Sequence, residues 1–256
     1  MVHEHINPNR LTDSAGVPWE GRQLQPNPHA GDDGSADPGL LQALGNFRDQ
    51  LVTSENVIEA LKTARLLLPL VASLGEAGEG ANGLVVDKSA DLSIVSVASP
   101  DGQVALPVFT SVQTMLAWDS KARPVPIEAA RVALAAASEK NGRIILDAGS
   151  PTEFAIRQTA FRAIAEGGVW LHPARNPEVK SAFAKIIDGE PAIENFAIQD
   201  GDAGAKLAGP EVLVYLKLAP RLDQSQLNSI AQRLSAAWAE SSIIAQCVDS
   251  IGLRLV

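Results

Sequence analysis

The sequence predicts an α+β protein, with mixed β-sheets flanked by helices and arranged in two α+β domains. Short apolar stretches typical of strands and amphipathic stretches typical of helices follow one another without regular alternation, which argues against a doubly wound sheet. Apolar residues make up 46% and charged residues 20% of the 256 residues, the balance of a globular chain with a real core. We expect an extended arm over residues 1–37, an N-terminal domain over 38–172 and a smaller C-terminal domain over 173–256.

Capping residues and first-turn prolines mark the expected helix starts. The predicted helices begin at or near Asp37, Ser54, Thr110, Pro126, Ser150, Asn176 and Asp223. Capping boxes support three of them, through the pairs Thr110/Gln113, Ser150/Glu153 and Asp223/Gln226. The first helix should stop at Gly45, and the fourth should stop at Asn141-Gly142 with Ile127, Ala130, Leu134 and Ala137 on one face.

Short apolar runs mark the strands. They cover residues 66–71, 92–98, 104–109, 144–147, 193–198, 212–218 and 251–256. Pro69 should place the first strand at a sheet edge or kink it. Asp101-Gly102 between the second and third runs predicts an antiparallel hairpin. Pro173 and Pro177 punctuate the chain where the C-terminal domain begins, and its expected order is αββαβ.

Composition excludes several classes of function. A formal net charge of -9 without a basic cluster argues against nucleic-acid binding, which depends on Lys and Arg at phosphates. The single cysteine, Cys247, forms no internal disulfide or cysteine metal site and indicates a reducing compartment. The N-terminus lacks the pattern of a secretion signal, and no apolar run approaches membrane-spanning length. We expect a cytoplasmic protein without metal or cofactor.

Two groups of polar residues are candidates for ligand binding. Asp87, Lys88 and Asp91 precede an expected strand, where a loop could present them to a ligand or a partner. The favoured alternative is that Lys88 pairs with a neighbouring carboxylate. Asp147 and Ser150 join a strand to an expected helix N-terminus, where free N–H groups can hold an anion. Capping by Ser150 is the structural alternative.

No catalytic set is expected. Thr110 and Ser111 have no histidine near them in the predicted core, and the four histidines lie in the arm or, for His172, beside a proline. Cys247 follows an apolar run with no neighbouring base to lower its pKa, so core packing is the expected role. The chain is therefore expected to be a non-enzyme rather than an enzyme.

Several stretches are similar to a known family. They are residues 19–22, 64–71, 87–91, 105–111, 122–126 and 145–147, together with Trp118. In these the chain resembles the SseB family of enhanced-serine-sensitivity proteins, in its longer actinobacterial type. The resemblance covers nearly all of the middle domain and, more loosely, the C-terminal one. It implies a cytoplasmic protein with an SseB N-terminal domain and no agreed activity, and it supplies no catalytic residues.

The sequence therefore favours a non-catalytic interaction or scaffold protein that binds a protein partner or associates with itself. The alternative is an enzyme or sensor for a small anionic or amino-acid-like metabolite, with Lys88, Asp147 and Ser150 lining its pocket.

Overall fold

The computed structural model describes residues 31–73, 91–138 and 142–256, with only the backbone for 72–73 and 91–94. Asp87, Lys88 and most of the expected arm lie outside these ranges. In the described ranges no helix combines the length and the apolar character needed to cross a membrane.

The helices and strands confirm the α+β class. Within the described ranges the helices are α1 (Pro38–Arg48), α2 (Ser54–Leu61), α3 (Val112–Trp118), α4 (Ala129–Ser138), α5 (Gln158–Glu166), α6 (Pro177–Ile187), α7 (Gln224–Glu240) and α8 (Ser242–Cys247). The strands are β1 (Arg65–Ser73), β2 (Asp91–Ile94), β3 (Val97–Ala98), β4 (Val104–Val108), β5 (Arg123–Glu128), β6 (Arg143–Leu146), β7 (Phe154–Arg157), β8 (Ile193–Asp200), β9 (Val212–Leu218) and β10 (Ile251–Leu255).

Three mixed or antiparallel sheets organise these strands. The first has the order β2-β1-β5 and is antiparallel, and the second has the order β3-β4-β6-β7 with β4 and β6 parallel. Leu67 and Phe109 exchange two backbone hydrogen bonds of 2.8 and 2.9 Å, which connect the first two sheets. The third sheet has the order β10-β9-β8, with β10 and β9 parallel and β8 antiparallel to β9.

Pro69 lies in a central strand, so the prediction of an edge position was wrong. β1 pairs with β2 on one side and β5 on the other, and Pro69 faces Pro124 across the β1–β5 ladder. Two residues without N–H groups can face each other where the antiparallel ladder has no hydrogen bond. The edge prolines are instead Pro124 and Pro126 of β5, and Pro126 was predicted to open a helix.

Four helix boundaries also differ from the prediction. α1 continues through Gly45 to Arg48, which lets Phe47 pack on Phe154 with ring centroids 5.1 Å apart. α3 is capped by Ser111 and Thr114 rather than by Thr110 and Gln113.

α4 begins at Ala129 and buries Ala129, Val132, Ala133 and Ala136, which leaves Leu134 60% exposed. Its predicted stop includes Asn141, which lies outside the described residues. Ser150 opens no helix, since the chain turns there into β7 and α5 starts only at Gln158.

The predicted hairpin is confirmed at its turn and shortened along its first strand. Val97 and Ala98 pair with β4 around a turn in which Gly102 has φ +79°, a conformation that glycine adopts without strain. Residues 91–94 separate from this hairpin and pair with β1 instead.

Residues 34–256 form one compact unit with two main apolar clusters. The larger one joins α1, α2, α4 and α5 to the first two sheets, and the other joins α6, α7 and α8 to the core face of the third sheet. The division into domains at residue 172 stays a prediction.

Candidate functional site

Asp147 is a buried hub at the end of β6. One carboxylate oxygen accepts hydrogen bonds from the Thr110 N–H at 2.7 Å and the Thr114 hydroxyl at 3.0 Å. The other accepts from the hydroxyls of Thr110 at 2.8 Å and Thr152 at 2.7 Å. A carboxylate has about four acceptor positions, so all are in use. These four residues form the Asp147 cluster, which ties β6, the start of α3 and the turn before β7 together.

Ser150 lies beside this cluster rather than at a helix N-terminus. Its N–H donates to the Asp147 carbonyl at 3.0 Å, and its hydroxyl lies 2.9 Å from the Thr152 hydroxyl. The free N–H groups expected there are therefore not those of a helix. The structure brings Asp147 and Ser150 together, but ligand binding by them stays a prediction.

The other predicted group cannot be joined to this cluster. Asp87 and Lys88 lie outside the described residues, and Asp91 is described by its backbone, which pairs with Ser73 in the β1–β2 ladder. Their role stays a prediction.

A second set of charges was missed by the sequence reasoning. Asp249 bridges two nearly buried guanidinium groups. It accepts two bonds from Arg143, at 2.6 and 2.9 Å, and one from Arg157 at 2.9 Å. Arg143 also donates to Asp101 at 2.8 Å, and Arg157 to Asp202 at 2.9 Å. We call these five residues, with Glu211, the Asp249 cluster.

Burial and hydrogen bonding oppose each other in this cluster. Burial lowers the pKa of Arg157, but hydrogen bonds to Asp202 and Asp249 outweigh it and leave that pKa raised. Burial raises the pKa of Glu211 to about 7, although hydrogen bonds from the Thr159 hydroxyl and the Asp249 N–H, both 2.6 Å long, favour the ionised form.

A third set of polar side chains surrounds His172. Glu55 accepts bonds from the Arg175 guanidinium at 2.7 and 2.9 Å and from the backbone N–H of His172 at 3.0 Å. The His172 Nε2 lies 3.4 Å from an oxygen of Asp200. These four residues form the His172 cluster.

The titrations in this cluster follow from burial and pairing. Burial raises the pKa of Glu55, but the bonds it accepts, first among them that from Arg175, lower it to about 2. Burial favours the neutral ring of His172 and lowers its pKa. The attraction of the Asp200 carboxylate favours the charged ring, but burial outweighs it.

The second and third clusters border one small cavity. Its polar lining includes Arg157, Asp202 and Glu211 from one cluster and His172 and Asp200 from the other, together with Ser54. The cavity volume is about 30 Å³, room for one or two water molecules. Trp170 and Phe154 contribute to its apolar wall. Within the described ranges, no group of three or more acidic, histidine or cysteine side chains could hold a metal ion.

The sequence held a weak signal for one of these clusters. Arg143 begins β6 and Arg157 ends β7, and every residue of both strands is buried. A charged residue inside a short apolar strand needs a buried partner of opposite charge. The identity of that partner was hidden, because Asp249 lies 106 residues after Arg143 and 92 after Arg157.

The fold and these clusters define an α+β protein in which buried charges join distant segments. Residues 40–163 match the family model described as the SseB protein N-terminal domain. Residues 40–163 are therefore a domain of the SseB family. No curated protein and no solved structure matches the chain. Membership of the longer actinobacterial type stays a prediction.

Proposed function

We propose that this chain is a non-catalytic interaction protein that binds a protein partner or associates with itself. The observation that supports this most is the use of its polar side chains. The carboxylates of Asp147, Asp249 and Asp202 are each bonded to groups from other segments of the chain. A reaction centre needs a polar group that can reach a substrate, and these groups are engaged in holding the fold.

The volume of the cavity between the Asp249 cluster and the His172 cluster also supports this proposal. About 30 Å³ is far below the several hundred Å³ of a typical small-molecule site. Arg157, His172 and Glu211 border that cavity, so these buried ionisable side chains have no space for a metabolite beside them. They act as internal links.

The test combines two measurements on the full chain. Tagged protein is captured from native lysate of its source at low salt, with and without reversible crosslinking. The molar mass of the purified chain in solution is measured by sedimentation equilibrium at several concentrations. We expect either a reproducible partner in stoichiometric amount or a mass above that of the monomer. A monomer that captures only itself at every concentration would overturn the proposal.

A second candidate is binding of a small anionic or amino-acid-like metabolite. A groove of about 250 Å³ lies next to the turn that follows Asp147, and it is lined by Phe47, Arg48, Glu153 and Lys206 among others. The Lys206 ammonium already bonds Glu153, at 2.8 Å to its carbonyl and 3.2 Å to its carboxylate. A ligand anion would have to compete with that carboxylate.

Thermal shift against carboxylate and amino-acid compounds tests this candidate, because a ligand of the native state raises Tm. The variant Lys206→Ala should abolish a true shift, while Lys180→Ala, on the exposed side of α6, should leave it unchanged. A shift that survives Lys206→Ala would exclude this groove as the site.

A further inference from the structure

β8 is a long edge strand whose free side faces no other strand in the described ranges. It has 8 residues and pairs only with β9, at the end of the β10-β9-β8 sheet. A free edge offers a row of N–H and C=O groups to any extended chain, so proteins usually block it with proline, lysine or a covering segment.

Three of the other edge strands, β5, β7 and β10, carry such protection. β5 contains Pro124 and Pro126, and β7 is covered by a loop whose Ala205 carbonyl accepts the Ala155 N–H at 2.8 Å. β10 carries the exposed cation Arg254. β8 contains no proline, lysine or arginine, and its one irregularity lies at its start, between residues 193 and 195.

The register shows which backbone groups of β8 point outward. Gly201 donates its N–H to the carbonyl of Glu211 at 3.2 Å, one step beyond the β8–β9 ladder. Bonded and non-bonded pairs alternate along an antiparallel ladder, so Ala197 faces β9 and the backbone groups of Phe196 and Ile198 point away from it. The Phe196 N–H donates to the neighbouring Asn195 Oδ1 at 2.8 Å, a bond that pairing with another strand would have to replace.

The side chains of β8 indicate that the apolar core continues to this edge. The core-facing residues of the central strand β9 are fully buried, and these are Val212, Val214 and Leu216. The core-facing residues of β8 pack on the same core but are only partly buried. They are Ile193, Phe196 and Ile198. A strand added beside β8 would cover their exposed parts.

We propose that β8 pairs antiparallel with β8 of a second copy of this chain, about a two-fold axis at Phe196. This inference rests on the proposed function and names the surface for its self-association. The pairing is isologous, so each Phe196 faces the partner's Phe196 and the uncharged residues on either side of it meet about the axis.

Charge sets the strength of this contact. The strand between Glu194 and Asp200 is uncharged, and Glu194 is paired with Lys217 at 2.8 Å. The outer edge of β8 is therefore nearly neutral, although the chain has a net charge of -9. Added salt should strengthen the dimer because it screens the repulsion of two acidic molecules. A strand-to-strand contact of this length falls among small interfaces, so we expect a dimer of micromolar affinity.

Complementary charges at Ala197 test the proposal. Its side chain is on the exposed face, close to the axis, where two copies approach diagonally. Ala197→Glu and Ala197→Lys should each weaken self-association by at least about tenfold through like-charge contact across the axis. An equimolar mixture of the two should restore a heterodimer. Gln232→Glu, on the exposed side of α7, adds the same charge as the first variant and should leave the dimer unchanged. Sedimentation equilibrium measures all four, and circular dichroism confirms that each is folded.

The outcomes separate this proposal from the broader one. A wild-type dimer unaffected by the Ala197 variants, or two weakened variants that fail to rescue each other, would overturn the β8 contact and leave self-association standing. A monomeric wild type that captures a protein partner would overturn β8 self-pairing but not the interaction function. A monomer that captures nothing would overturn both.

Discussion

A single carboxylate, Asp147, stabilises three segments of the N-terminal part of the chain. Asn would keep the shape of the side chain, but its NH₂ group would replace a carboxylate oxygen that accepts hydrogen bonds. That NH₂ group would then face groups that are donors in the native protein. We expect Asp147→Asn to lower the free energy of unfolding by about 2–4 kcal/mol, since buried donors lose their acceptor. Urea unfolding measures it. Asp188→Asn, at an exposed position after α6, is the matched control and should cost below about 0.5 kcal/mol. Equal losses in both would contradict the role given to Asp147.

Glu211 should make stability depend on pH. Its pKa is about 7 in the folded chain and near 4.5 when unfolded, so the folded state binds the proton more tightly. The stabilisation is complete below pH 4.5 and is lost as pH rises through 7, by roughly 3 kcal/mol in total. Glu211→Gln cannot ionise, so its unfolding free energy should fall less between pH 5 and 8 than that of the wild type.

The comparison with the wild type is needed because other groups titrate in the opposite sense. His172 has a lowered pKa, so its contribution is lost as pH falls below about 6.5, and Glu55, with a pKa of about 2, loses its contribution between pH 4.5 and 2. Both remain in the Gln variant and cancel in the difference. Parallel pH profiles for the two proteins would show that Glu211 is not the source.

Residue-level reasoning from the sequence named Asp147 as a ligand-binding candidate, which stays a prediction, and it missed the side chains that surround Asp147. A polar residue after a buried strand was visible as unusual, but two of its three partners, Thr114 and Thr110, lie 33 and 37 residues away. His172 was set aside because it lies beside a proline, and nothing in its spacing points to Glu55, 117 residues earlier. Long-range partners leave no local pattern.

Helix starts show when local signals suffice. Asp223 and Gln226 form the predicted capping box of α7, with bonds of 2.8 Å in both directions. We expect Asp223→Ala to cost about 1 kcal/mol of unfolding free energy, because the N–H of Gln226 loses its acceptor. Ser225→Ala, at an exposed position in the first turn of α7, should change stability little. Guanidinium unfolding of both proteins measures the difference, and an Asp223→Ala protein as stable as Ser225→Ala would refute the cap's contribution.

The same local pattern fails at Ser150 because its partners compete. The Glu153 carboxylate accepts the Gly149 N–H at 2.6 Å, and the Ser150 hydroxyl accepts the Thr152 N–H at 3.1 Å, which closes a tight turn instead of a first helical turn. The following residues stabilise the fold more as strand β7 than as a helix, because as a strand they pair with β6 and bury Phe154. Tertiary pairing overrides capping there.

At the scale of the whole chain, the charged clusters join residues before 172 to residues after it. Asp249 and Asp202 lie in the C-terminal part, while Arg143 and Arg157 lie in the N-terminal part. The sequence predicts two domains here from Pro173 and Pro177, and it could not reveal how strongly buried charges link them. Such links favour cooperative unfolding, so the predicted division and the clusters can be tested together.

Asp249→Asn should separate the two parts. It leaves the guanidinium groups of Arg143 and Arg157 buried with too little opposite charge, which costs about 3–5 kcal/mol when one member of a buried ion pair is removed. Glu166→Gln, which breaks the exposed Arg162–Glu166 pair, is the control and should cost below about 0.5 kcal/mol.

The order of opening decides the domain prediction. If residues 173–256 form a domain of their own, hydrogen exchange in the Asp249→Asn protein should show β8, β9 and β10 opening separately from β4 and β6, and urea unfolding should become broader with a lower m-value. These strands belong to different apolar clusters, so each cluster can persist while the charged contact is lost. If instead both sets of strands exchange at one common free energy in the variant, the unit over residues 34–256 is a single cooperative domain and the division at residue 172 is wrong.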